Sequence, residues 1–201
     1  MADPQIANIE VETRGRMVLM NARLMDGLTE SVVEAIHGGV PVTFTYQIEL
    51  VEIRPFWPDK TVSLNTVSNT VQYNSLKKVY RFSAIGRNVR RKIITRNPNR
   101  YRELMTTLKE APIASVKRLK PDSTYYLRVK ADVETDRLWF PFNHIFFFTP
   151  FNDVKTSWAE SSPLVWKPAI ERASRPETKK TARKKNGPIG VRSKDVIRTF
   201  N

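Results

Sequence analysis

From residue 40 to residue 50 the chain alternates apolar and polar side chains without an error. Val40, Val42, Phe44, Tyr46, Ile48 and Leu50 fall on one side, and Pro41, Thr43, Thr45, Gln47 and Glu49 on the other. A period of two belongs to a pleated strand, and six turns of it describe a strand buried on one face within an antiparallel sheet. Such a strand cannot stand alone, so the rest of the chain must supply partners. Residues 124–134 repeat the pattern, with Tyr125, Leu127, Val129, Ala131 and Val133 opposite polar neighbours. β-Branched and aromatic residues return over 61–73, 77–83 and 89–95, and Gly86-Arg-Asn88 reads as a turn between two of these runs. The parity slips at 51–53, which predicts a bulge before Pro55, and residues 56–60 read as a turn. Ile9, Val11, Met17 and Leu19 around Arg14-Gly15 predict a first hairpin, with Gly15 making the turn.

Two stretches break the period. Over 26–37, Leu28, Val32, Ala35 and Ile36 follow helical spacing, Asp26 or Thr29 suits the N-cap, and Gly38-Gly39 stops the helix. Asn97-Pro98-Asn99 opens a second helix, predicted over 100–109, with Tyr101, Leu104, Met105 and Leu108 on one stripe and Ala111-Pro112 ending it. Ile113, Val116 and Leu119 fit a helical turn better than a strand. Many short strands with two brief helices give a mainly β fold: an antiparallel β-sandwich, immunoglobulin/fibronectin-like.

Residues 138–151 hold six of the ten phenylalanines and one of the four tryptophans. The block is broken by Pro141 and Pro150 and falls short of the about 20 apolar residues that span a bilayer. It is read as the centre of a core rather than an exposed docking surface, because aromatic residues dominate core energetics. After Trp166 apolar content collapses. Residues 167–201 carry 11 Lys/Arg and 3 Asp/Glu, a net of +8 out of +14 for the chain. One domain over residues 5–166 and a disordered basic tail over 167–201 follow.

Catalysis has little support in these residues. Cysteine is absent, which removes disulfides and thiolate chemistry. His37 ends a helix, where a cation suits the dipole, and His144 lies inside the aromatic block. Neither zinc spacing, nor a phosphate loop, nor a nucleophile elbow is present. Asp132, Glu134 and Asp136 are read as a solvated turn, though a hydrolase would have to use them. No catalytic residue, cofactor or metal is expected. In the tail, Lys179, Lys180, Arg183, Lys184 and Lys185 are read first as a solvated segment and next as a contact for anionic lipid or another polyanion. Arg87-Asn-Val-Arg-Arg-Lys92 would extend such a patch. Nucleic acid is disfavoured, since only Phe200 offers a stacking ring there.

Leu119-Lys-Pro-Asp-Ser-Thr-Tyr125 resembles the E–F corner of fibronectin type III modules, in which the tyrosine hydroxyl bonds back to the corner backbone. The likeness covers about a tenth of the chain and is weighed more as a convergent sandwich corner than as membership. A wider resemblance spans nearly all of residues 5–166. It rests on Ala35-Ile-His-Gly-Gly-Val-Pro-Val-Thr-Phe-Thr-Tyr-Gln-Ile-Glu-Leu50, on Tyr126-Leu-Arg-Val-Lys-Ala131 and on Phe146-Phe-Phe-Thr-Pro-Phe-Asn-Asp-Val-Lys-Thr-Ser-Trp158. In order and spacing these resemble the bacterial envelope family known as domain of unknown function 4390. Asn152 stands where that family more often has tryptophan, and Phe56-Trp-Pro-Asp59 approximates its Arg-x-x-Trp segment. The resemblance implies an exported protein from which a leader has been removed, encoded near sensor kinases. It brings no catalytic residues.

The start of the chain, Met1-Ala-Asp-Pro-Gln5, has neither a basic region nor an apolar run. It suits a junction left by a removed leader, with Met1 added for expression, as well as an ordinary cytosolic start. With the resemblance, the expectation is a periplasmic or envelope-associated interaction module that contacts a protein partner in the envelope. The alternative is a cytoplasmic nucleic-acid binder using the basic tail. The expected contact surface is the polar face of the 40–50 strand, Thr43, Thr45, Gln47 and Glu49, together with Phe56, Trp57 and Asp59.

Overall fold

The computed structural model describes residues 3–135 and 155–167. Its strands are β1 (Gln5–Arg14), β2 (Met17–Met25), β3 (Val42–Ile53), β4 (Lys60–Asn74), β5 (Val79–Gly86), β6 (Val89–Thr95), β7 (Thr107–Ser115), β8 (Thr124–Thr135), β9 (Ala159–Glu160) and β10 (Leu164–Val165). Helix α1 is Glu30–His37 and helix α2 is Pro98–Thr106. The larger sheet runs β10-β8-β3-β4-β5-β6, with β9 also on β8; the smaller runs β1-β2-β7. Every pairing is antiparallel. The fold is mainly β, two antiparallel sheets enclosing one core, with two short helices at one end.

The alternation of residues 40–50 places β3 at the centre of the large sheet. Phe44, Tyr46 and Ile48 are buried, and β3 pairs with β4 on one side and β8 on the other over its whole length. The expected bulge lies between Leu50 and Val51. The buried face of β4 is partly polar, and those side chains tie the sheets together. Ser63 Oγ donates to the Ile113 carbonyl at 2.7 Å, Asn65 Nδ2 donates to the same carbonyl, and Asn69 Nδ2 reaches the Leu104 carbonyl at 3.1 Å. From β3, the Tyr46 hydroxyl donates to the Met105 carbonyl at 2.6 Å, and burial pushes its pKa far up. Each bond satisfies a carbonyl that burial would otherwise leave unpaired.

Three details differ from the sequence expectation. The second helix ends at Thr106, and Thr107 begins β7, because pairing with β2 (Arg23 with Thr107, Ala22 with Leu108) takes over from helical propensity. Leu108 is buried, but as a strand residue. Ile113 likewise belongs to β7, and only Val116–Arg118 forms a helical turn, of 3-10 type. The first hairpin forms as expected, yet β2 buries Val18, Met20, Ala22 and Leu24 rather than Met17 and Leu19. On β1, a bulge between Ala7 and Glu10, with Asn8 at φ 53°, lets Ile6 and Val11 both pack on the core.

Thr29 caps α1 by accepting from the Val32 amide, and Asn97 caps α2 by accepting from Asn99. The aromatic block of 138–151, with His144, and the tail with Lys179, Lys180, Arg183, Lys184 and Lys185 lie outside the described residues. So does Asp136. Asp132 and Glu134 lie within β8 rather than in a turn, because that strand runs on to Thr135.

Candidate functional site

Four stretches meet at one end of the sandwich, and register shows why. Gly15 at φ 59° turns β1 into β2, and the Val116 amide donates to the Arg16 carbonyl at 3.0 Å, joining that turn to the end of β7. Ile53, the last residue of β3, pairs with Thr124, the first of β8. Leu164 and Val165 pair with Tyr125 and Thr124. The end therefore comprises the 14–16 turn, the 54–59 loop, the 116–123 corner and the 164–167 segment.

The 54–59 loop is built by its own polar groups. The Arg54 guanidinium donates from Nε (2.9 Å) and Nη2 (2.6 Å) to the Pro58 carbonyl, its amide donates to Asp59 Oδ1 at 3.3 Å, and the Trp57 amide donates back to the Arg54 carbonyl. The Tyr126 hydroxyl donates to the other Asp59 oxygen at 3.4 Å. Asp59 is thus a structural member of the loop. Phe56 stands at φ 102°, a conformation that costs a non-glycine residue on the order of 1–3 kcal/mol. Between these fastened ends Phe56 is 101 % exposed and Trp57 74 %, with little to pack on among the described residues.

Next to this loop the 116–123 corner is closed as in fibronectin modules, the Lys120 amide donating to the Tyr125 hydroxyl at 2.8 Å. Lys120 also places its ammonium 2.8 Å from the buried carboxylate of Glu52. The hydrogen bond from Lys120 holds Glu52 below the ordinary carboxylate value of 4.5; burial opposes this, and the charges of Lys120, Lys60 and Arg54 reinforce it. The amides of Asp122 and Trp166 exchange bonds with Trp166 and Ser123 at 2.9 Å, which stitches the last described residues onto the corner. An apolar cleft of about 300 Å³ opens here between Val18, Leu50, Tyr125, Leu164 and Trp166.

The polar face of β3 runs away from this end toward the helices, with Glu49 nearest the loop and Thr43 farthest from it, and is not continuous with the two rings. Thr43, Thr45, Gln47 and Glu49 are half-buried, and all but Gln47 engage side chains of neighbouring strands. The Thr43 and Thr70 hydroxyls are 2.8 Å apart, and Thr45 faces Ser68 at 3.4 Å. Glu49 accepts from Arg128 (Nη2 at 2.6 Å, Nε at 2.8 Å). Trp158 covers this pair, its ring 4.8 Å from the Arg128 guanidinium carbon and 5.2 Å from the Lys130 ammonium.

Arg54 and Trp158 are the contributors that the sequence reading missed. The signal for Arg54 was present: Arg54-Pro-Phe-Trp57 is itself an Arg-x-x-Trp segment, two residues earlier than the one considered. Trp158 closes one of the motifs on which the family resemblance rests, but only the register of β8 brings two cations beneath it. At the opposite end His37 Nε2 lies 3.1 Å from the Tyr80 hydroxyl, a structural contact. Among the described residues, no group of three His, Cys, Asp or Glu is placed to hold a metal ion, and no helix is long and apolar enough to cross a membrane.

Residues 2–162 match a family described as Domain of unknown function (DUF4390). No curated protein and no solved structure matches the chain.

Proposed function

The chain belongs to the domain of unknown function 4390 family, and from that premise we propose a non-enzymatic interaction module of the bacterial cell envelope. It is exported to the periplasm, docks through the end that carries Phe56 and Trp57, and serves a sensor-kinase pathway. The observation that carries this reading is the braced loop. Two large aromatic side chains stand in water on a backbone fixed by Arg54 and Asp59. Rigid aromatic anchors lose little entropy on binding and dominate the energy of recognition surfaces. The strain at Phe56 supports the reading, since strained backbone persists where the surroundings hold it in place and clusters at sites of function.

Placing a photo-crosslinking amino acid at position 57 in cells tests the docking claim, with position 76 as control. Leu76 is also exposed but lies in the β4–β5 connection at the far end. Adducts at 57 that are lost with Phe56→Ala, and none at 76, are expected. The same pattern at both positions would contradict the assignment. Fractionation of the cells should find the protein in the periplasm or with the membranes, and a purely cytosolic protein would refute the export claim.

A further inference from the structure

The four stretches that form the Trp57 end, with Lys60 at the start of β4, contain eight Lys/Arg and the acids Asp59 and Asp122. Arg14 is paired with Glu12 and Glu110 and Lys120 with Glu52, so Arg16, Arg54, Lys60, Lys117, Arg118 and Lys167 stand outside the ion pairs among the described residues. Among the cations stand exposed apolar side chains of two kinds: the rings of Phe56 and Trp57, and the aliphatic Leu164 and Val165. Lys167, the last described residue, lies at this same end, and the sequence that follows it holds ten Lys/Arg and three Asp/Glu. Excess positive charge around exposed aromatic and aliphatic groups meets its complement at the headgroup region of an anionic bilayer. There cations pair with lipid phosphates, and apolar side chains enter the acyl boundary. Nucleic acid would satisfy the cations and stack on the rings, but it offers nothing to Leu164 and Val165. We propose that this end docks on an anionic phospholipid surface, with Phe56 and Trp57 inserted at the headgroup level and the surrounding cations against lipid phosphates. The inference rests on the reading of this end as the docking surface and names its partner.

Co-sedimentation of the full chain with vesicles tests it, using phosphatidylcholine alone and phosphatidylcholine mixed with phosphatidylglycerol. Binding is expected to the mixed vesicles only, and to weaken with salt. Burying one large aromatic is worth about 1.5–3 kcal/mol, so Trp57→Ala should lower partitioning by about tenfold or more. Lys117→Ala with Arg118→Ala, which removes two charges at about 1 kcal/mol each, should lower it by about thirtyfold. Leu76→Ala should change nothing, and thermal unfolding of each variant shows that it folds. The proposal is overturned by equal binding of wild type and Trp57→Ala, which would leave the tail alone responsible. It is equally overturned by no binding to anionic vesicles, or by tighter retention on RNA at the same salt. If vesicles fail while position 57 still crosslinks a protein in cells, the lipid partner falls and the docking end stands. If both fail, both readings fall.

Discussion

The two ends of the sandwich use aromatic side chains in opposite ways. At the helical end Tyr101 is fully buried and stacks on Tyr80, their centroids 4.1 Å apart, and Tyr80 in turn meets Tyr73 at 4.7 Å and His37 at 6.2 Å. Burial, with the neighbouring Tyr101 and Tyr73, pushes the Tyr80 phenol up. At the other end Phe56 and Trp57 touch water. Charge differs as well. The helical end, over 25–38, 74–78 and 96–106, carries five Lys/Arg and four Asp/Glu, against eight and two at the Trp57 end. Aromatic content alone therefore says nothing about role. A helix laid across the mouth of the sheets turns aromatics into core, whereas a loop braced by its own backbone contacts holds them out for a partner.

Substitutions that should affect one end and spare the other test this contrast. Tyr101→Ala empties the closed end and should destabilise by about 3–5 kcal/mol in urea unfolding, without direct effect on the Trp57 end. Lys120→Ala strands the buried Glu52 carboxylate and should cost about 1–3 kcal/mol at neutral pH. Because the folded pKa of Glu52 is depressed, its contribution is present above the ordinary value of 4.5 and is lost as pH falls through the folded value. The difference between wild type and Lys120→Ala should therefore shrink on acidification below 4.5, and a constant gap would show that the ion pair is not its source. The Tyr101 hydroxyl is buried with no partner among the described residues, so Tyr101→Phe should raise stability by about 1 kcal/mol. Trp57→Ala should stay within about 0.5 kcal/mol of wild type. Phe56→Gly, which removes the strain at φ 102°, should be at least as stable as wild type. A large loss from either would make the exposed loop part of the core.

Much of this architecture was legible in the residues, wherever burial imposes a period. β3 and β8 alternate cleanly because each buries one face, and the corner at Tyr125 carries a bond its sequence announces. One misreading arose where two periods fit equally well. Leu104, Met105 and Leu108 sit at helical spacing, but Leu108 is claimed by β2; the β-branched pair Thr106-Thr107 was the local hint that the helix stops. In β2 both polar residues, Asn21 and Arg23, share a parity with Met17 and Leu19, so the inward face of Val18, Met20, Ala22 and Leu24 was open to reading from the sequence. The docking end was half legible. Phe56 and Trp57 between Pro55 and Pro58 read as a turn, but its brace depends on Arg54 reaching the Pro58 carbonyl, a contact that sequence spacing does not encode. The cations gathered from four separate stretches became one surface only through strand register.

Hydroxyl-radical footprinting of the intact protein, with and without phosphatidylglycerol-containing vesicles, measures the contrast between the ends directly. Phe56 and Trp57 should be oxidised at the rate of open side chains in the free protein and become protected on the vesicles, while Tyr101 stays slow in both. Rings already protected in the free protein, or oxidised equally with and without vesicles, would contradict the account.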